Sequence, residues 1–262
     1  MKLAISNIAW NNEKNENIYC LMSDMGFTGI EIAPTKILDE KPYDKLEKAE
    51  AWSIQMENKY GLKVASMQSI WYGKTENIFS SLDERKKLLD YTKKAIIFAE
   101  TIGCKNLVFG CPKNRNMGEN SKLKEAVSFF REIGEFAHLH GTVIGMEANP
   151  IIYNTNYIND TISAINIIKE VASEGFRLNL DFGTIIQNRE SLEILYDNID
   201  IINHVHISEP GLEKIQKRKE HRILAEILNI GNYQNFVSIE MKQQEDTSDI
   251  ITIMNYLKEV FA

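Results

Sequence analysis

A chain of 262 residues with a net charge of −7 can bury a large core without disulfides or a structural metal. The acidic balance argues against a nonspecific binder of the nucleic-acid backbone, and no apolar run reaches the length that spans a bilayer, so no membrane partner is expected. Cys20, Cys104 and Cys111 form no C-x-x-C pair and read as the reduced thiols of a cytoplasmic protein.

From the N-terminus, Met1-Lys2-Leu3-Ala4-Ile5-Ser6 reads as a first strand, without the apolar stretch or small-residue cleavage site of a secretory signal. No G-x-G-x-x-G follows it, which weighs against dinucleotide binding. Gly26, Gly61, Gly103, Gly141, Gly175 and Gly231 each follow a helix-like stretch and precede a strand-like one. Glycine just past a helix end accepts the left-handed conformation that such loops need. Glu31 ends the second strand-like run and Gln68 the third. Residues 82–102 are expected to be helical, with Leu88, Thr92, Ala95, Ile96, Ala99 and Ile102 on one face. Ser81-Leu82-Asp83-Glu84 before them has the capping-box pattern. Strand four covers 106–110, and a second amphipathic helix covers 121–140, with Leu123, Ala126, Phe130, Ile133 and Ala137 in its stripe. The remaining strands are 143–147, 176–181, 202–206 and 236–240, the third of them inside the wide gap between Gly175 and Gly231. Strands alternating with helices favour a parallel sheet. Eight such units favour closure, so the expected fold is α/β, a (β/α)8 TIM barrel occupying 1–262 as a single domain.

The functional face of such a barrel lies at the carboxyl ends of its strands. Glu147, Asp181, His206 and Glu240 end strands five to eight and can converge on one divalent cation, without which three carboxylates would repel one another. Oxygen-rich ligation with one imidazole suits Mn²⁺, Mg²⁺, Co²⁺ or Zn²⁺. The period of two places Asn179 beneath Asp181, His204 beneath His206 and Ser238 beneath Glu240, as a supporting layer. Glu31 and Gln68 are candidate pocket contacts. Lys113 and Arg115 either clamp a phosphate or carboxylate or remain solvated loop cations. Trp10 and Trp71 either wall a sugar face or fill the core. The charged run 213–222 is either a solvated loop or an active-site loop that offers Lys, Arg or His221 to an anionic substrate.

Several of these segments carry a family resemblance over almost the whole length. Gly29-Ile30-Glu31, Gly145-Met146-Glu147-Ala148-Asn149, Leu180-Asp181-Phe182-Gly183, His204-Val205-His206-Ile207-Ser208-Glu209-Pro210 and Val237-Ser238-Ile239-Glu240-Met241 resemble the xylose-isomerase-like TIM-barrel superfamily. That superfamily groups sugar-phosphate isomerases and epimerases with the endonuclease IV group. The resemblance implies one divalent ion on Glu147, Asp181, His206 and Glu240. It also implies a catalytic pair in which Glu147 or Glu240 removes the proton next to a carbonyl and the other returns it. Asn149 and Glu209, within the shared motifs, join the expected substrate contacts. The implied substrate is a small sugar or sugar phosphate, and the implied assembly a homodimer or homotetramer. The ketose epimerases place a histidine shortly after the strand-six aspartate, whereas this chain continues Asp181-Phe182-Gly183-Thr184-Ile185-Ile186. His221 either supplies an imidazole from the next loop or starts a helix facing water. The alternative chemistry is metal-dependent hydrolysis or lyase action, including endonuclease IV-like phosphodiester cleavage. That group holds several zinc ions with many histidines, whereas this chain has five, two of them (His138 and His140) at the end of the 121–140 helix. Nucleic acid is therefore not the expected partner, and a metal-dependent sugar or sugar-phosphate isomerase or epimerase is the leading expectation.

Overall fold

The computed structural model describes residues 1–262. Eight parallel strands close in sequence order into a barrel: β1 (Lys2–Ser6), β2 (Gly29–Ile32), β3 (Lys63–Met67), β4 (Leu107–Phe109), β5 (Ile144–Met146), β6 (Phe176–Asp181), β7 (Ile202–Ile207) and β8 (Phe236–Ile239). Closure comes from β1 pairing with β8, in register from Lys2↔Phe236 to Ile5↔Ile239. Around the barrel run α1 (Asn15–Asp24), α2 (Pro34–Ile37), α3 (Leu46–Tyr60), α4 (Leu82–Thr101), α5 (Leu123–Leu139), α6 (Thr161–Val171), α7 (Phe182–Asn188), α8 (Lys219–Ile230) and α9 (Thr247–Phe261). This is the expected (β/α)8 architecture, and no helix is long and apolar enough to cross a membrane.

The helical stripes face the barrel as their spacing requires. Leu88, Thr92, Ala95, Ile96 and Ala99 of α4 are buried, as are Ala126, Phe130, Ile133 and Ala137 of α5. Leu123, the first residue of α5, departs from its stripe and is 52% exposed. Only half of the expected capping box forms. Ser81 Oγ accepts from Glu84 N, but the Glu84 carboxylate accepts from Asn77 N and the Ser80 hydroxyl instead of reaching back to Ser81. Both candidate tryptophans belong to the core. Trp71 is buried edge-on to Phe109, with ring centroids 4.7 Å apart, and donates to Thr92 Oγ1 at 2.8 Å; Trp10 donates to Asn15 Oδ1 at 2.8 Å.

The glycine rhythm has two physical origins. Gly26, Gly61, Gly103 and Gly141 take the left-handed conformation, with φ between +65° and +79°. Gly175 and Gly231 do not, since Ala172 (φ 51°) and Asn232 (φ 52°) make those turns. Close approach explains these two: a Cβ on Gly175 would lie 2.0 Å from the carbonyl oxygen of Gly134 in α5, and one on Gly231 would lie 2.3 Å from Ile199. Gly175→Ala is therefore expected to destabilise the protein by about 3 kcal/mol through backbone overlap. Gly103→Ala, which has open space but a positive φ, should cost about 1 kcal/mol. Urea unfolding midpoints of the two variants check this order.

Candidate metal centre

The strand ends bring three potential ligands together. Glu147 follows β5, His206 lies in β7 and Glu240 follows β8. Ladder bonds continue past the strands and hold these backbones, from Glu147 N to Phe109 O at 3.1 Å and from Glu240 N to Ile207 O at 3.0 Å. His206 Nδ1 lies 3.3 Å from Glu147 Oε2 and 3.2 Å from Glu240 Oε2. The three ligand atoms lie within 4.8 Å of one another. Asp181, expected as a fourth ligand, stands beside His206 in register but outside this trio. Its Oδ2 accepts from both the backbone N and the hydroxyl of Thr184, each at 2.7 Å, and its Oδ1 accepts from the Ser208 hydroxyl. Asp181 thus caps α7, satisfying the free amides of the first turn. A Cβ on Gly183 would lie 2.7 Å from Ser208 Oγ, so a side chain at that position would displace this hydroxyl.

The site is buried and rich in acid. Burial pushes the carboxyl pKa of Glu147 up, with the Glu240 charge adding to it. Burial likewise raises Asp181, together with the charge of Glu147. It also raises Glu240, with Glu31 and Asp181 adding to it against the pull of His206. Burial alone would discharge His206, but Glu31 and Glu240 outweigh it and hold the imidazole well above the usual histidine range. Burial lowers the pKa of His204, so His204 adds no charge near neutral pH. The oxygen, nitrogen and oxygen donors of Glu147, His206 and Glu240 fit a divalent cation.

The layer beneath contains the expected residues. Asn179 Nδ2 donates to Glu147 Oε2 at 3.1 Å, and its Oδ1 accepts from Asn106 at 3.2 Å. His204 Nε2 lies 3.1 Å from Glu31 Oε2, off the line of a hydrogen bond. The Ser238 hydroxyl is buried without a partner.

Most residues expected to contact substrate have other work. Glu31 is 0% exposed, its carboxylate held against His206 instead of opening to substrate. Gln68 is also buried and donates to Glu31 Oε1 at 3.0 Å. Arg115, 0% exposed, does not reach the pocket as a clamp. It donates to the Glu147 carbonyl at 3.0 Å, to Asn149 Oδ1 at 2.9 Å and to the Ile158 carbonyl at 3.3 Å. Arginine only donates, so the Asn149 oxygen must face it and the Asn149 amide must face Glu147 Oε1, 2.8 Å away. Ile158 is held at φ 58°, an uncommon state for a β-branched residue. Its carbonyl also accepts from Asn149 N at 3.1 Å. The loops after β4 and β5 are further joined by Asn116 Nδ2 to Asn154 O at 3.0 Å, Met117 N to Asn156 Oδ1 at 2.8 Å and Asn156 N to Asn116 Oδ1 at 3.1 Å. Lys113 remains an exposed loop cation.

In the charged run after β7, Glu209 is buried and held by Arg218, at 2.8 Å through Nε and 2.5 Å through Nη2. Lys214 pairs with Asp249, and Lys217 lies over the Tyr256 ring. His221 is 0% exposed, so it neither faces water nor offers an imidazole to substrate. Its ring packs on Phe182 at 4.3 Å, and its Nδ1 meets the Tyr256 hydroxyl at 3.0 Å. Among the contacts that sequence reading missed, the pairing of Glu31 with His206 stands out: His206 Nε2 donates to Glu31 Oε2 at 2.7 Å. The buried polar ends of β2 and β7 were its only sequence signal.

The sequence matches the family described as xylose isomerase-like TIM barrel over residues 21–260. The chain belongs to that family. No curated protein matches it. Among solved structures, this xylose isomerase-like barrel is similar to 3-keto-D-glucoside 4-epimerase from E. coli, at 22% identity and a TM-score of 0.77, covering 99% of this chain and 98% of the other. It is similar to D-psicose 3-epimerase from Clostridium cellulolyticum, at 14% identity and a TM-score of 0.80, covering 100% and 99%. It is also similar to an AP endonuclease, family 2, from Brucella melitensis, at 16% identity and a TM-score of 0.75, covering 100% and 99%. At these identities the likeness establishes the shared barrel.

Burial lowers the His221 pKa from 6.5 to about 4, so the unfolded chain binds this proton more tightly than the folded one. The contribution to stability is full above pH 6.5 and is lost as pH falls towards 4, a change of about 3 kcal/mol. Urea unfolding of metal-free protein across this window should show a steeper acid loss for the wild type than for His221→Gln.

Proposed function

We propose that this protein is a divalent-metal-dependent isomerase or epimerase of a sugar or sugar phosphate, moving a proton next to a carbonyl through an enediolate. The observation that carries this reading is the approach of Glu147 and Glu240 to one imidazole, at 3.3 and 3.2 Å from His206 Nδ1. They come from β5 and β8, three places apart in the eight-strand ring, so they reach the site from different sides. Burial raises both carboxyl pKa values, which makes each carboxylate a stronger base. One takes the proton from the carbon next to the carbonyl, and the other delivers a proton. Delivery to the opposite face of that carbon inverts it; delivery to the former carbonyl carbon, with the hydroxyl proton passing from one enediolate oxygen to the other, isomerises the sugar. Asn149 donates to Oε1 of Glu147 and Asn179 to Oε2, which fixes the plane of that carboxylate. A divalent ion held by Glu147, His206 and Glu240 would polarise the carbonyl and stabilise the enediolate charge.

The epimerases named above share this barrel, which supports the reading. The endonuclease alternative is disfavoured by the positions of the histidines. His138 is exposed on α5, His140 pairs with Glu100 at 2.7 Å, and His221 packs behind α7. Only His204 and His206 approach the acidic cluster.

Ketoses, aldoses and their phosphates, screened with Mn²⁺, Mg²⁺ and Co²⁺ in D₂O, should give product deuterated at a single carbon. Glu240→Gln should lower that turnover by about 10²-fold or more. Cleavage of abasic DNA without deuterium exchange would overturn the assignment. Elemental analysis should find one ion per chain, lost in the Glu147→Gln/Glu240→Gln double variant; unchanged metal content in that variant would refute the shared site.

A further inference from the structure

Glu31 has no exposed surface and so cannot touch substrate, yet it places a carboxylate in the barrel interior, where an unpaired charge is strongly disfavoured. Its two oxygens are individually held. Oε2 accepts from His206 Nε2 at 2.7 Å, and Oε1 accepts from Gln68 Nε2 at 3.0 Å. Gln68 also donates to the Ser6 hydroxyl at 2.5 Å. The chain of contacts thus starts on β1, passes through the end of β3 and through β2, and finishes on β7. An ionised carboxylate only accepts, so the proton of this contact sits on Nε2.

We propose that Glu31 is a positioning residue for His206, fixing the plane of the imidazole and directing Nδ1 at Glu147 and Glu240. Its consequence for metal binding rests on the function proposed above. With Nε2 committed to Glu31, Nδ1 is the nitrogen available to a cation. Glu31, His204 and His206 also form a group that invites a second ion, but the distances decide against it. Ligand atoms on a tetrahedral zinc with bonds of about 2.0–2.1 Å stand roughly 3.3 Å apart. The 2.7 Å between Glu31 Oε2 and His206 Nε2 is instead the separation of a charge-assisted hydrogen bond. Gln68 occupies the other oxygen, so the carboxylate is aimed by the protein.

The test uses full-length ¹⁵N-histidine-labelled protein and Mn²⁺ titration. In the metal-free wild type, His206 Nε2–H should give a low-field proton resonance, which Glu31→Gln removes. Mn²⁺ affinity should fall about 10–100-fold in Glu31→Gln. Gln68→Met keeps the charge and loosens its aim, so its affinity should fall between these two, and this variant carries the test if Glu31→Gln does not fold. Wild-type affinity in both variants overturns the inference. So do two ions per wild-type chain with one lost in Glu31→Gln, since the buried group would then be a metal site. A wild type that shows the His206 resonance, loses it in Glu31→Gln and takes up no Mn²⁺ would refute the metal centre while supporting Glu31 as the partner that orients His206.

Discussion

One imidazole facing carboxylates through both ring nitrogens is the interaction on which the functional end of this barrel depends. His206 meets Glu31 through Nε2 and Glu147 with Glu240 through Nδ1. Its charge is what permits so many buried acids to coexist, because each carboxylate alone would be driven towards protonation by the low dielectric around it. The contacts surrounding the site follow from that constraint. Gln68 restrains Glu31, Asn149 and Asn179 restrain Glu147, and Thr184 with Ser208 satisfies Asp181. Gly110 belongs to the same set, since a Cβ there would lie 3.1 Å from Glu147 Oε1.

The fold was largely legible in the sequence because its signals are local. Strands alternate with helices, apolar stripes recur at the helical period, and glycines mark the returns from helix to strand. The stripes of α4 and α5 face the barrel almost residue for residue. The places where local reading failed are places where a distant atom decides. Gly175 and Gly231 look like helix-ending glycines, but what they accommodate is a carbonyl of α5 and the side chain of Ile199. Nothing in the nearby residues announces either neighbour.

The same distinction governs the site. The period of two along a strand indicates which side chains enter the barrel, and Asn179, expected one layer below the strand ends, donates there to Glu147. The period says nothing about what stands across the interior. Glu31 and His206 are 175 residues apart in the chain, so the end of β2 reads as one more pocket contact until the barrel is closed. Glu209 and His221 have ordinary loop and helix-start sequences, yet an ion pair with Arg218 and packing against Phe182 and Tyr256 bury them. Asp181 shows a local rule and a distant contact acting on one residue. It stands at a strand end and three residues before Thr184, so the helix cap takes its Oδ2, while Ser208 beyond β7 takes Oδ1.

The buried guanidinium of Arg115 ties the loop after β4 to the loop after β5, with the asparagine contacts beside it closing the seam. In a barrel whose loops are usually treated as interchangeable parts, these two form one heritable unit. Replacing the second alone would strand a cation in the interior, and replacing the first alone would release Asn149 from its orientation. Evolutionary drift or loop grafting on this scaffold must therefore carry both segments together.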